Sequence, residues 1–139
     1  MTILKSIGAV LAGIIFIIVT HTVTDLVLES LGIFPPPSQG LHITWMLVTA
    51  LTYRVIFEVG GSYVTAALAP SKPMTHSMIL GAIGLVMGTA GAIVAIPMNR
   101  SPAWYPIALA LSALPTAWLG ATIYMSAHSA ANAAEARTE

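Results

Sequence analysis

The sequence predicts an all-α membrane protein, a transmembrane four-helix bundle with both termini in the cytoplasm. Three observations lead to this prediction: the composition, four long apolar stretches, and the prolines at the ends of those stretches. Of the 139 residues, 57% are hydrophobic and only 7% are charged, whereas soluble domains carry about 25% charged residues. A soluble domain of ~150 residues buries only about 70% of its chain surface. So much apolar surface must therefore face lipid, and the bilayer is the expected partner.

The charge balance and the cysteine count exclude two classes of function. Five Lys and Arg residues balance five Asp and Glu residues, so the formal net charge is zero. Nucleic-acid-binding proteins present a basic patch, and we therefore expect no nucleic-acid partner. The chain has no cysteine, which excludes disulfides and thiolate chemistry.

Four stretches reach the ~20 apolar residues that a helix needs to cross the hydrocarbon core. The predicted spans are residues 3–31, 41–69, 74–97 and 102–128, within one domain 1–128 that a polar tail 129–139 follows. Their ends carry Pro70, Pro73, Pro97 and Pro102, where proline terminates a helix or is tolerated. The first stretch exceeds the roughly 7–15 apolar residues of a signal peptide, so we expect it to span.

The distribution of cations predicts the orientation. Lys5, Lys72 and Arg137 fall on one side of the predicted spans and Arg100 on the other. Because cytoplasmic loops carry the excess of Lys and Arg, both termini are expected in the cytoplasm. The loop 32–40 then lies outside, and its three consecutive prolines favour an extended, stiff cap.

Aromatic residues are expected at the outer interface of the membrane. Trp45, Trp104 and Tyr105 lie near the outer ends of their spans, where Trp and Tyr are enriched in membrane proteins.

The most informative residues are ionisable groups inside the first two spans. His21 and Asp25 lie on the first helix, and Arg54 and Glu58 on the second, each pair four residues apart and so on one helix face. At ~1.5 Å per residue, Asp25 lies about 9 Å and Arg54 about 13 Å below the outer helix ends. The four groups overlap in depth, and the short loop predicts that the two helices are neighbours.

The energetics of burial require these groups to pair. An unpaired charge at mid-membrane costs roughly 3 kcal/mol on insertion scales. We expect Arg54 to bridge Asp25 and Glu58, with His21 as a hydrogen-bonding neighbour. With His21 neutral the cluster has one excess negative charge, and one proton would bring it to zero. The hydroxyls of Tyr53 and Tyr63 are the expected further partners.

Two functional interpretations of this cluster remain open. Intramembrane ionisable groups mark ion, proton or substrate sites, which predicts a protein that binds or translocates a small solute or protons. Alternatively, the cluster clamps the two helices in a non-catalytic accessory or scaffold subunit. A transporter needs a water-accessible cavity that reaches Glu58, whereas a scaffold needs a dry cluster.

Catalytic and metal chemistry are not expected. The sequence contains no nucleophile constellation or nucleotide loop, so we predict neither an enzyme nor a cofactor. His21, Asp25 and Glu58 are acceptable metal ligands, but the adjacent Arg54 would repel a bound cation.

Glycines predict close helix packing. Gly81, Gly84, Gly88 and Gly91 fall on one side of the third helix, and Gly60 and Gly61 lie on the second. Small residues let helix backbones approach closely in lipid. We expect this packing within the bundle, while a homo-oligomer or a larger membrane complex stays open as the alternative.

Helices two to four resemble a known group of proteins. The residues that carry the resemblance are 52–54, 60–66, 68–70, 102–106, 113–115 and 117–120, within roughly residues 45–125. They resemble small bacterial four-helix inner-membrane proteins of uncharacterised function. The resemblance implies a bacterial inner-membrane location and four helices, but no activity and no functional residue.

Overall fold

The computed structural model describes residues 2–138, and these are arranged as four helices joined by short connections. The helices are α1 (Thr2–Ser30), α2 (Thr44–Leu68), α3 (Pro73–Ala95) and α4 (Trp104–Ala136), with a 3-10 turn at Pro37–Gln39. The predicted all-α class with four helices is thus confirmed. The helix α4 continues to Ala136, so most of the predicted tail extends the last helix.

Three of the helices, α1, α3 and α4, are long and apolar enough to cross a membrane. The remaining helix, α2, has 25 residues but carries Arg54 and Glu58 in its middle. Those two side chains, together with several threonines, lower its hydropathy below that of its neighbours.

Helix α2 lies at the centre of the arrangement. It packs against α1, α3 and α4, while α3 packs along α4 and also contacts α1. Helix α1 buries only Ala9 and Gly13, and about two thirds of its large apolar side chains are exposed. Exposed apolar surface of this extent marks contact with a membrane or with another protein.

The end of the molecule that contains the α2–α3 connection, here called the turn end, is tightly packed. An added Cβ at Gly81 would lie 2.6 Å from Ala117 Cβ, and one at Gly120 would lie 2.6 Å from Ser62 Cβ. Glycine at these positions therefore allows α4 to approach α2 and α3.

Three hydroxyl side chains at the turn end, those of Ser62, Thr65 and Ser77, have no exposed surface. Ser62 Oγ donates to the Ala117 carbonyl at 2.6 Å, and Ser77 Oγ donates to the Ser62 carbonyl at 3.0 Å. Thr65 Oγ1 donates to the Ala9 carbonyl at 3.1 Å. Each buried hydroxyl is thus satisfied by the backbone of a neighbouring helix.

The opposite end, here called the loop end, is closed by two connecting loops that are tied together. The backbone N–H of Leu41 donates to the Arg100 carbonyl at 2.7 Å, and Arg100 Nη1 donates to the Pro37 carbonyl at 2.7 Å. Gly40 has a φ of 71°, and a Cβ there would collide with the Arg100 carbonyl. Glycine is therefore required where the loops meet.

Candidate functional site

Asp25 on α1 is held by two side chains of α2. Arg54 Nη2 lies 2.5 Å from Asp25 Oδ2, and the Tyr53 hydroxyl donates to Asp25 Oδ1. Both carboxylate oxygens therefore have a donor, one of them charged. Arg54 and Tyr53 are adjacent in sequence, so a single turn of α2 satisfies the acid.

His21 contacts the backbone of α2 rather than a carboxylate. Its Nε2 lies 3.3 Å from the Arg54 carbonyl oxygen, and because a carbonyl only accepts, Nε2 is the donor. The imidazole ring also lies 6.1 Å from the ring of Phe57. His21 thus forms a second polar link between α1 and α2, one turn away from Asp25.

The expected bridge from Arg54 to Glu58 is wrong. Within residues 2–138 the only ion pair joins Arg54 to Asp25. Glu58 Oε2 instead accepts hydrogen bonds from Ser112 Oγ at 2.9 Å and Thr116 Oγ1 at 3.2 Å. Position 58 lies one turn further along α2, where that helix faces α4, so the two charged groups of α2 have partners on different helices.

A cavity of about 380 Å³ opens beside the Asp25–Arg54 pair at the loop end. We call it the loop-end cavity. Its walls include apolar side chains such as Phe34, Leu41 and Leu109. Its polar lining consists of Asp25, Glu29, Tyr53, Arg54, Arg100, Ser101 and Tyr105. Two acids and two arginines balance, so the formal charge of the lining is zero.

Small residues of α3 form one wall of this cavity, among them Gly88, Gly91 and Ala95. A Cβ at Gly91 would meet nothing within 4 Å. Gly91 therefore faces open space, whereas we expected it to pack against a helix. A Cβ at Gly88 would lie 3.0 Å from Ala110 Cα, so α3 approaches α4 there and diverges one turn later.

The other predicted packing glycines lie against neighbouring helices. An added Cβ at Gly84 would lie 3.3 Å from Ala113 Cβ on α4. One at Gly60 would lie 2.9 Å from the Phe16 ring, and one at Gly61 would clash with Ile17, both on α1. These approaches, like that of Gly81, occur within the chain.

A second, smaller cavity of about 80 Å³ surrounds Glu58. We call it the mid-helix cavity. Its lining is Ile17, Glu58, Ser62, Leu80, Gly81, Gly84, Ala113, Thr116 and Ala117. This volume is large enough for a few water molecules. Glu58 is its one ionisable lining residue. Of the four predicted site residues, Asp25 and Arg54 therefore line the loop-end cavity, Glu58 lines the mid-helix cavity, and His21 lines neither.

Sequence reasoning missed seven polar residues that line these two cavities or, in the case of Ser112, donate to Glu58: Glu29, Ser62, Arg100, Ser101, Tyr105, Ser112 and Thr116. A spacing of four residues could have indicated three of them, because Glu29 follows Asp25 at that interval and Thr116 follows Ser112. Tyr105 was expected at the membrane interface, but it is buried and lines the loop-end cavity.

Within residues 2–138 no three histidine or acidic side chains come together to hold a metal ion. Comparison of the chain with protein-family models, with curated proteins and with solved structures finds no match. The function is therefore inferred from the site itself.

Proposed function

We propose that this protein is a four-span bundle of the bacterial inner membrane that binds a small polar solute of zero net charge in the loop-end cavity. One observation carries the proposal: the Asp25–Arg54 pair lies in the wall of a cavity of about 380 Å³ rather than in a dry interface. Small-molecule pockets have volumes of roughly 300–1,000 Å³ and combine apolar walls with a few polar groups.

The packing of α2 supports four spans. Because α2 runs antiparallel between α1 and α3, it crosses the bilayer if they do. Its two charged side chains turn toward α1 and α4, which removes them from lipid. The cation count of the sequence favours cytoplasmic termini, so the loop end would face outward, and the resemblance to bacterial inner-membrane proteins favours that membrane.

The charge balance of the lining defines the solute class. A net charge transferred from water into a cavity with a neutral lining loses hydration without gaining an opposite charge. A zwitterionic or neutral polar solute avoids that cost, because Arg54 and Arg100 offer donors while Asp25 and Glu29 offer acceptors.

Cavity filling tests this proposal without altering any charged residue. In lipid nanodiscs, Gly91→Phe should fill the loop-end cavity, whereas Gly8→Phe places the same ring in open space on α1, away from both cavities. The probes are zwitterionic amino acids and neutral polyols, with acetate and guanidinium as charged controls.

We expect at least one probe without net charge to raise the melting temperature of the wild type and of Gly8→Phe, but not of Gly91→Phe. The proposal fails if no such probe distinguishes the two variants, or if only acetate or guanidinium does.

A second candidate function is that of an accessory subunit in which the cluster holds α1 against α2. The polar links made by Asp25 and His21 both join these two helices, and α1 leaves most of its apolar surface exposed. In that case no probe would bind, and no probe would change the melting temperature of the wild type, of Gly8→Phe or of Gly91→Phe.

A further inference from the structure

Glu58 is buried differently from the other acid of the cluster. Asp25 faces a guanidinium, but within residues 2–138 Glu58 forms no ion pair, and its hydrogen-bond donors are the two neutral hydroxyls of Ser112 and Thr116. An uncompensated charge at mid-membrane is costly. Protonation of Glu58 would remove this uncompensated charge.

The two hydroxyls can hold either protonation state of the carboxyl group. A hydroxyl has one hydrogen to donate and two lone pairs that accept. Ser112 Oγ lies 2.9 Å from Glu58 Oε2 and also 2.7 Å from the Leu109 carbonyl. It can therefore donate to an ionised Glu58, or donate to Leu109 and accept the proton of a neutral Glu58.

The Thr116 hydroxyl can adopt the same two hydrogen-bonding arrangements. Its Oγ1 lies 3.2 Å from Glu58 Oε2, and 2.8 Å from the Ser112 carbonyl in the preceding turn of α4. Rotation of two hydroxyls thus adapts the site to gain or loss of a proton without moving a helix.

The second oxygen of Glu58, Oε1, is the one that neither hydroxyl contacts. Oε1 has no hydrogen-bond partner within residues 2–138. It is nevertheless not fully buried, because the one fully buried polar side-chain atom there that lacks a partner is Arg54 Nε. Since Glu58 lines a space that is large enough for a few waters, Oε1 is the atom through which a water there would deliver or remove a proton.

Few charged groups face this carboxyl. On α2, Arg54 lies one turn away, and on α4 the Tyr105 phenol lines the loop-end cavity together with Arg54. Helix α1 presents Ile17 to the cavity, with His21 and Asp25 at the level of Arg54. Helix α3 presents only Leu80 and glycines.

We propose that Glu58, with Ser112 and Thr116, forms a binding site for one exchangeable proton, separate from the solute site in the loop-end cavity. The proposal depends on the mid-helix cavity alone, so it can stand or fall without the solute site.

Dicyclohexylcarbodiimide is the probe, because this apolar reagent enters the bilayer and reacts only with a protonated carboxyl group. The carboxyl adds across a C=N bond of the carbodiimide, its proton moves to nitrogen, and rearrangement leaves a stable N-acylurea on the side chain. The intact protein in lipid nanodiscs is labelled across a pH series, and peptide mass spectrometry then locates the adduct.

We expect one adduct, on Glu58, with a yield that falls as the pH rises. Glu58→Gln should abolish it, while Glu135→Gln on the exposed end of α4 should label like the wild type. Ser112→Ala combined with Thr116→Val removes the donors that stabilise the ionised form, so labelling should persist to higher pH.

Mapping the adduct in the wild type needs no variant, so a misfolded Glu58→Gln protein would not remove the test. The proposal is overturned if the adduct lies on Asp25 or Glu29, if Glu58 is unlabelled at every pH, or if labelling does not depend on pH. Protection by Na⁺ but not by K⁺ at fixed pH would also overturn it, because the site would then bind a metal cation.

Discussion

The loop end and the turn end of this molecule are built from the same four helices but handle polar groups in opposite ways. At the turn end, Ser62, Thr65 and Ser77 are fully buried, and each donates to a backbone carbonyl. At the loop end, Asp25 and Arg54 face a cavity of about 380 Å³. The difference follows from how closely the helices approach.

Hydroxyl groups suit a dry interface because each one brings its own donor and finds a carbonyl on the next helix. Charged groups need an opposite charge, water or both. The chain places its hydroxyls where Gly81 and Gly120 bring the backbones together, and its ion pair where α3 and α4 diverge. Glu58 lies between the two regions, with hydroxyl partners and a cavity of its own.

The largest effect on stability should come from adding a methyl group to α3 where that helix contacts α4. In Gly81→Ala the added Cβ would lie 2.6 Å from Ala117 Cβ, whereas in Gly91→Ala it meets nothing within 4 Å. We expect Gly81→Ala to lower the free energy of unfolding by about 3 kcal/mol through overpacking. Gly91→Ala should raise it by about 0.8 kcal/mol through helix propensity. Unfolding in mixed micelles by added dodecyl sulfate measures both, and equal effects would contradict the contrast between the ends.

The second largest effect on stability should come from breaking the ion pair between Asp25 and Arg54. Arg54→Ala leaves Asp25 with only the Tyr53 hydroxyl, and we expect a loss of about 2 kcal/mol in the free energy of unfolding. This is less than the 3–5 kcal/mol typical of a buried pair, because both side chains keep about a quarter of their surface exposed, 25% and 29%. Asp25→Asn added to Arg54→Ala should restore part of the loss. No recovery would mean that Arg54 acts through its packing alone.

A smaller contrast compares two single hydrogen bonds. Ser77→Ala removes the donor to the Ser62 carbonyl in a dry interface, which should cost about 1 kcal/mol. Tyr53→Phe removes a donor to Asp25 beside the loop-end cavity, where water can replace the hydroxyl, so we expect about 0.5 kcal/mol. The same unfolding assay compares them, and a larger loss for Tyr53→Phe would indicate that the loop-end cavity is dry.

The helices and the α1–α2 pairing could be predicted because they depend on local pattern. Apolar length and prolines indicated four helices, and the i,i+4 spacing of His21 with Asp25 and of Arg54 with Glu58 indicated which faces carry charge. The partner of Glu58 could not be predicted in the same way. It depends on the rotation of α2 between α1 and α4, and the attraction between Arg54 and Glu58 competes with two hydroxyls on a third helix.

The loop-end cavity was beyond sequence analysis for a related reason. Gly88 and Gly91 look alike in sequence, yet Gly88 approaches Ala110 whereas Gly91 faces open space. The cavity is also lined by Leu41 and Arg100, whose backbone hydrogen bond joins two loops that are far apart in the chain.

The most direct test of the account is whether water reaches the Asp25–Arg54 wall through the loop-end cavity. The chain has no cysteine, so single-cysteine variants in nanodiscs report cleanly on access for a charged methanethiosulfonate reagent, which reacts only with thiolates in water. Gly91→Cys lines the cavity, whereas the adjacent Ala90→Cys is exposed but outside the cavity lining. We predict rapid modification of Gly91→Cys and slow modification of Ala90→Cys. Equal rates, or a faster rate at Ala90→Cys, would contradict the account.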